Sequence, residues 1–174
     1  MKRYVQNSFR TKDLGKLRYL LSIEVARSKE GISLSQRKYV LDILEEIGLL
    51  GSKPVETPMD PNVKFYEDQR ELLSNPERYR RLVGKLNYLT ITCPDISFAV
   101  SVLSQFMKDP HIPHWKAIIR IVRYLKAHPG RGLLYKANGH LWVEAYTDAD
   151  WARSSSDRKS TTGYCTFLGG NLIT

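Results

Sequence analysis

The sequence predicts an α+β fold with an N-terminal β-hairpin, a mostly helical middle and C-terminal β-strands. Three observations lead to this prediction. Runs of β-forming residues flank Gly31 near the start of the chain. Apolar residues recur at helical spacing between positions 76 and 127, and alternating apolar residues return after position 132. The chain has 174 residues, which is enough to bury a sizeable core.

The first third of the chain predicts a hairpin followed by a helix. The two hairpin strands are Lys16–Val25 and Ile32–Ser35, which are separated by Ala26–Glu30 and the glycine Gly31. A helix is predicted over Gln36–Leu50, because apolar side chains recur there every three or four residues. Gly48 and Gly51 are placed to end that helix.

The middle of the chain predicts a linker and three helices. Residues 51–75 form the linker, since prolines punctuate them and their acidic residues outnumber the basic ones. Apolar stripes predict helices over Pro76–Ile91, Asp95–Met107 and Pro113–Ala127. Asn75 is the predicted N-cap of the first of these helices, because its side chain can accept a hydrogen bond from a free backbone N–H.

The last third of the chain predicts strands and the beginning of a metal site. The strands lie roughly over Gly132–Lys136, Leu141–Thr147 and Thr161–Leu168, and a polar loop separates the last two. Asp148 and Asp150 follow the second strand, where carboxylates could bind a hard cation such as Mg²⁺. Two-metal cleavage of a phosphodiester needs several converging carboxylates, and this segment supplies only the first of them.

Charge predicts contact with a polyanion. The formal net charge is +9, and ten basic residues stand against three acidic ones in both 1–39 and 76–131. Two basic blocks of this kind indicate surfaces that face nucleic acid. A solvated basic protein with no nucleic-acid role would show the same composition. Two groups of basic residues lie on predicted helices: Arg80, Arg81 and Lys85 lie on or beside one turn, and Lys116, Arg120, Arg123 and Lys126 recur at helical spacing.

Cysteine and histidine usage predicts an intracellular protein without a disulfide framework or a zinc site. Cys93 and Cys165 have no metal-like spacing, and Cys93 reads as a buried thiol. His111 and His114 are three apart but have Pro113 between them and no cysteine nearby. No apolar run approaches the ~20 residues of a membrane helix, and the N-terminus lacks the apolar core of a signal peptide. We therefore expect neither secretion nor a membrane partner.

Several segments, taken in order, resemble the polyprotein of copia-type long-terminal-repeat retrotransposons. The order and spacing of the matches carry the resemblance over nearly the whole chain. The matching segments are Phe9-Arg-Thr-Lys-Asp-Leu-Gly15, Leu17–Val25, Ile32–Val40, Thr57-Pro-Met59, Tyr79–Leu89, Cys93-Pro-Asp-Ile96, Leu103–Met107, Arg123-Tyr-Leu-Lys126, Tyr146-Thr-Asp-Ala-Asp-Trp151 and Asp157–Tyr164.

The resemblance implies a division of the chain into four parts. Residues 1–50 would be the end of a reverse transcriptase palm with a primer-grip-like hairpin, in which Tyr19 and Leu20 hold the primer. An ordinary hairpin core is the alternative for these two residues. Residues 51–75 would be a linker, 76–131 a helical thumb and connection region, and 132–174 a truncated ribonuclease H-like start. The basic helix residues would contact template–primer phosphates, which position a protein without reading sequence.

The resemblance also implies what the intact family does and what this chain lacks. The family copies RNA into DNA and hydrolyses RNA with Mg²⁺, and Asp148 matches its first ribonuclease H metal ligand. The polymerase motif Tyr-Val-Asp-Asp does not occur here, nor does the ribonuclease H motif Ser-Ser-Thr-Glu-Ala-Glu. We therefore expect no catalysis by this chain and no bound Mg²⁺. The alternatives are a non-catalytic domain that binds an RNA–DNA hybrid, and a degenerate genomic relic with no selected function.

Overall fold

The structure is a computed structural model, and it describes Phe9 and residues 15–60, 63, 65, 71–150 and 160–174. The described part is a mixed α+β fold, as the sequence predicts. Its helices are α1 (Arg37–Glu46), α2 (Pro76–Leu89), a 3-10 turn (Pro94–Ile96), α3 (Ser97–Ser104) and α4 (Ile112–Ala127). Its strands are β1 (Tyr19–Leu20), β2 (Ile23–Arg27), β3 (Ile32–Ser35), β4 (Gly132–Tyr135), β5 (Val143–Asp150), β6 (Thr161–Leu168) and β7 (Asn171–Leu172).

The four α-helices enclose the core that their apolar stripes predict. The stripe of α2 is buried as expected, at Tyr79, Leu82, Val83, Leu86 and Leu89. Asn75 caps α2 as predicted, since its Oδ1 accepts a hydrogen bond of 3.0 Å from the backbone N–H of Arg78. The remaining core side chains come from the other helices and the 3-10 turn, and they are Val40, Ile43, Leu44, Cys93, Ile96, Ala99, Val100, Leu103, Ile118, Ile121, Val122 and Leu125.

Two predicted helices are shorter than their apolar patterns. The first ends at Glu46 and not at Leu50, and the third stops at Ser104 and leaves Phe106 in the turn that follows. Cys93 is buried as predicted, and this burial raises the pKa of its thiol. None of the helices among the described residues is long and apolar enough to cross a membrane.

The N-terminal sheet is antiparallel with the order β1-β2-β3-β4. The prediction of one strand over Lys16–Val25 is wrong, because the chain turns at Leu21 and Ser22 and pairs Leu20 with Ile23. Both turn residues have positive φ, 49° and 61°, the geometry of a two-residue type I′ turn. That turn favours glycine or asparagine, and neither is present to mark it in the sequence.

Strand β4 belongs to the N-terminal sheet, whereas the sequence grouped it with the C-terminal strands. It pairs with β3 from Ser35↔Gly132 to Ile32↔Tyr135. A Cβ at position 132 would lie 2.0 Å from the carbonyl oxygen of Leu34, so only glycine permits this approach. The pairing joins segments about a hundred residues apart, which no local pattern encodes.

The C-terminal sheet has the order β5-β6-β7, and its register runs from Val143↔Leu168 to Asp150↔Thr161. The side chain of Asn171 connects this sheet to the end of β4. Its Oδ1 accepts from the backbone N–H of Lys136 at 2.6 Å, and its Nδ2 donates to the carbonyl oxygen of Lys136 at 2.9 Å. The amide therefore pairs with Lys136 as a neighbouring strand would.

Candidate nucleic-acid interface

The cations of α2 are engaged with the rest of the helical region. The guanidinium of Arg80 donates from Nε to the carbonyl oxygen of Met107 at 2.7 Å and from Nη2 to that of Lys108 at 2.8 Å. These carbonyls lie in the turn after α3, so Arg80 holds that turn against α2.

Arg81 and Lys85 share one carboxylate. Arg81 Nε lies 3.3 Å from Glu46 Oε1, and Lys85 Nζ donates a hydrogen bond to Glu46 Oε2. The hydrogen bond from Lys85 is the main reason that the pKa of Glu46 is lowered. Because Glu46 ends α1, it places a negative charge beside both cations, and the positive potential of this face is partly compensated.

The cations of α4 have neutral partners. We use the name α4 stripe for Lys116, Arg120, Arg123 and Lys126. Arg120 donates from Nε to the carbonyl oxygen of Thr57 at 3.2 Å and from Nη2 to its Oγ1 at 2.8 Å. Arg123 Nε donates to the carbonyl oxygen of Lys53 at 2.7 Å, and Lys126 Nζ donates to that of Ser52. The α4 stripe therefore holds residues 52–57 of the linker along the helix.

The charge of the α4 stripe is not compensated by the ion pairs of the described region. Those pairs involve Lys38, Arg81, Lys85 and Arg131 as the cations, and none joins a carboxylate to the α4 stripe. Lys116 is exposed and lines a groove with Arg120, Arg123 and the linker residues Pro58 and Asp60. The two sets of cations that look alike in the sequence thus differ in their electrostatic surroundings.

The hairpin residues predicted to hold a primer lie at the surface. Tyr19 and Leu20 are 52% and 54% exposed, so the alternative of a buried hairpin core is wrong. Tyr88 Oη donates to the carbonyl oxygen of Leu21, and this bond fastens the hairpin turn to α2. Any contact of Tyr19 or Leu20 with nucleic acid stays a prediction.

Asp148 lies in β5, opposite Gly163 of β6, and it is exposed. The strand places Glu144 on the same face, four residues earlier. Among the described residues, no three His, Cys, Asp or Glu side chains converge where they could hold a metal ion. The described residues thus do not fit a magnesium site by themselves. The loop from Trp151 to residue 159 lies outside the described residues.

The histidines with helical spacing cap α4. The backbone N–H of His111 donates to Nδ1 of His114 at 3.0 Å, and the ring of His114 stacks on Phe106 with centroids 4.0 Å apart. Both histidines are buried. Helix N-termini have free N–H groups, so this bond has a structural purpose that the sequence spacing does not reveal.

Sequence reasoning missed two sets of contacts around these helices. Glu24 of β2 accepts a hydrogen bond of 3.0 Å from the backbone N–H of Lys38, and it thereby caps α1 from a neighbouring strand. Asp95 accepts hydrogen bonds from Tyr124 Oη at 2.5 Å and from Arg131 Nη1 at 2.8 Å. Their partners are 14 to 36 residues away, and no local signal marks them.

Comparison with known proteins places the chain in a family. It is 45% identical over 165 residues to the retrovirus-related Pol polyprotein from transposon RE1 of Arabidopsis thaliana, a match that covers 95% of this chain and 11% of that protein. It is 35% identical over 180 residues to the Pol polyprotein from transposon TNT 1-94 of Nicotiana tabacum, covering 97% and 13%. The chain belongs to the copia-type retrotransposon Pol polyproteins.

A further relative is closer to this chain in length. An uncharacterized mitochondrial protein of Arabidopsis thaliana is 40% identical over 169 residues, and the match covers 97% of this chain and 70% of that protein. The chain spans only about a tenth of the length of the Pol polyproteins that it matches. No protein-family model and no solved structure matches the chain.

Proposed function

We propose that this part of a Pol polyprotein binds the phosphate backbone of a template–primer or an RNA–DNA hybrid through the α4 stripe. The observation that carries the proposal is that Arg120, Arg123 and Lys126 bond to neutral carbonyl and hydroxyl groups of the described linker residues. A cation bonded to a carbonyl keeps its charge uncompensated, and a phosphate is a stronger acceptor than a carbonyl. The resemblance to reverse transcriptases supplies the class of ligand.

The α4 stripe is a better candidate than the cations of α2. Arg81 and Lys85 already share the carboxylate of Glu46. A phosphate that approached α2 would have to compete with Glu46 and would meet the repulsion of its carboxylate. Arg120 and Arg123 each keep guanidinium donors beyond those used for the linker, and a guanidinium fork suits a phosphate.

We propose further that the chain catalyses neither DNA synthesis nor RNA cleavage by itself. The sequence has no Tyr-Val-Asp-Asp motif, and Asp148 stands at the surface of a strand without two converging carboxylates among the described residues. Asp148 could help to hold Mg²⁺ only if further carboxylates were supplied by another segment. Metal-dependent primer extension, or cleavage of the RNA strand of a hybrid by the purified chain, would overturn this part of the proposal.

Binding is tested by fluorescence anisotropy with a labelled RNA–DNA hybrid and with duplex DNA across a salt series. The matched variants are Lys116→Gln on α4 and Lys85→Gln on α2. If Lys116 contacts a phosphate, its loss should weaken binding to both ligands and reduce the slope of log affinity against log salt by about 0.9. Lys85→Gln should reduce the slope less than Lys116→Gln does, because Glu46 partly compensates the charge of Lys85.

Each outcome of this experiment bears on a different part of the proposal. Equal losses from both lysine variants would show that the net charge matters and not the α4 stripe. No binding of the unmodified chain even at low salt would overturn the proposed function. Circular dichroism of each variant serves as the control, since an unchanged helical signal excludes unfolding as the cause of lost binding.

A further inference from the structure

Thr57 is exposed, and its hydroxyl group is hydrogen-bonded to an arginine. Its Oγ1 accepts a hydrogen bond of 2.8 Å from Arg120 Nη2, and its carbonyl oxygen accepts one of 3.2 Å from Arg120 Nε. The residue lies in the linker, outside every helix and strand. The backbone before it is also fastened to α4, by the Val55 N–H to Arg123 carbonyl contact of 3.4 Å among others.

The sequence gives Thr57 a second distinction. It is the one serine or threonine in the 174-residue chain that precedes a proline. Pro58 restricts Thr57 to extended backbone conformations. An extended segment that ends in threonine and proline is the substrate geometry of proline-directed protein kinases.

The surroundings of Thr57 are suited to an anion. Arg120 is already bonded to the hydroxyl oxygen, and Lys116 and Arg123 line the groove beside Pro58. Asp60 lines the same groove, so its three cations face one carboxylate among the described residues. A group with two negative charges on Thr57 would find more positive than negative charge within the groove.

We propose that Thr57 is a phosphorylation site whose phosphate is received by Arg120 and Lys116 of the α4 stripe. In the reaction, the Thr57 oxygen attacks the γ-phosphorus of ATP bound to a separate kinase. The bond between that phosphorus and the β–γ bridging oxygen breaks, ADP leaves, and the hydroxyl proton passes to a base of the kinase. The product carries about −1.5 to −2 charge near pH 7.

The phosphate has two consequences for this chain. It replaces one neutral hydrogen bond to Arg120 by charge-assisted bonds, which fasten the linker more firmly to α4. It also fills the α4 stripe with an internal anion. This second consequence rests on the proposed function, because the same cations would then no longer be available to bind a nucleic-acid backbone.

The first test uses the purified full chain, a proline-directed serine/threonine kinase and ATP. Mass spectrometry should find one phosphoryl group at Thr57, and none on the Thr57→Val variant. The phosphorylated chain should melt higher by about 2–4 °C for each new charge-assisted bond worth ~1 kcal/mol. Arg120→Gln should abolish most of that rise, while Arg80→Gln, on the other helix, should leave it intact.

Failure of this inference can be told apart from failure of the proposed function. If Thr57 is not modified, or is modified without a rise in Tm, the phosphate site is wrong whatever the chain binds. If the Tm rises and the unmodified chain binds no nucleic acid, the phosphate site stands and the proposed function fails. If both hold, phosphorylation should weaken hybrid binding and reduce its salt dependence, and unchanged binding would contradict the competition.

Discussion

The helices of this chain bury their apolar side chains, whereas the described strands leave theirs partly exposed. The four helices enclose their apolar side chains, and Leu86 and Leu103 are fully buried between them. Every strand side chain that the structure describes keeps some exposure, and Leu141 and Trp142 just before β5 are 80% and 74% exposed. The helical region therefore has a hydrophobic core of its own, whereas the described sheets depend on backbone pairing and a few side-chain bonds such as those of Asn171.

This difference in burial indicates that the helical region contributes most of the free energy of unfolding. A buried aliphatic side chain contributes about 1.5–3 kcal/mol, and an exposed one contributes little. The helices should consequently unfold as one cooperative unit, while the C-terminal sheet should open at a lower free energy. β5 is also an exposed strand at the edge of its sheet, and such an edge is a surface on which chains can associate.

The largest expected effect breaks the helical core. Leu86→Ala removes a side chain that is 0% exposed, and it should lower the free energy of unfolding by about 2–5 kcal/mol. The matched change in the strand region, Leu141→Ala, should cost within about 0.5 kcal/mol because that side chain is already in water. Urea denaturation followed by circular dichroism measures both. Similar losses for the two variants would contradict the contrast between helices and strands.

A change of intermediate effect disrupts the pairing of β3 with β4 in the N-terminal sheet. Gly132→Ala introduces a Cβ 2.0 Å from the carbonyl oxygen of Leu34, so β4 must move away from β3. We expect a loss of about 1–3 kcal/mol and faster hydrogen exchange at the amides of the β3–β4 pair. The control is Gly163→Ala in β6, where an added Cβ meets no atom within 4 Å. An unchanged exchange rate in β3 after Gly132→Ala would show that the strand pairing is wrong.

The smallest change we expect is a gain in stability from a substitution in the N-terminal sheet. Ser22 has a φ of 61° in the β1–β2 turn, where a residue with a Cβ is strained. Ser22→Gly should raise the free energy of unfolding by up to about 1 kcal/mol, because it removes that strain. Ser33→Gly in β3 is the control, and it should lower stability since φ is not positive there. A loss of stability from Ser22→Gly would contradict the strained, positive φ of Ser22 in this turn.

Much of the helical region could be predicted because its signals are local. The stripe of α2 and the cap at Asn75 lie within one helix and its neighbour in sequence, and both are found in the structure. The end of α1 was misplaced by four residues, since an apolar pattern continues beyond the last helical hydrogen bond. The turn at Ser22 was missed because the residue that usually marks it, glycine, is not there.

The candidate interface shows the limit of the same reasoning. The sequence places the candidate basic residues on two predicted helices, and the resemblance implies the same contact with phosphate for all of them. Nothing local distinguishes Lys85 from Lys116, since each is a lysine on an amphipathic helix. The distinction comes from Glu46, which is 39 residues from Lys85, and from the linker carbonyls that lie along α4.

The α+β class and the apolar faces of the helices can be predicted from the amino-acid sequence alone. The order of its motifs also indicates the retrotransposon Pol family. The fold class and the apolar faces follow from periodicity and residue type, which are properties of short segments, whereas the family rests on a resemblance in the order of the motifs. Three features appear only in the folded chain: the pairing of β4 with β3, the position of Glu46 beside Arg81 and Lys85, and the position of the linker on the α4 stripe. Such contacts join distant segments, and their energies depend on distances and burial that exist only once the chain has folded.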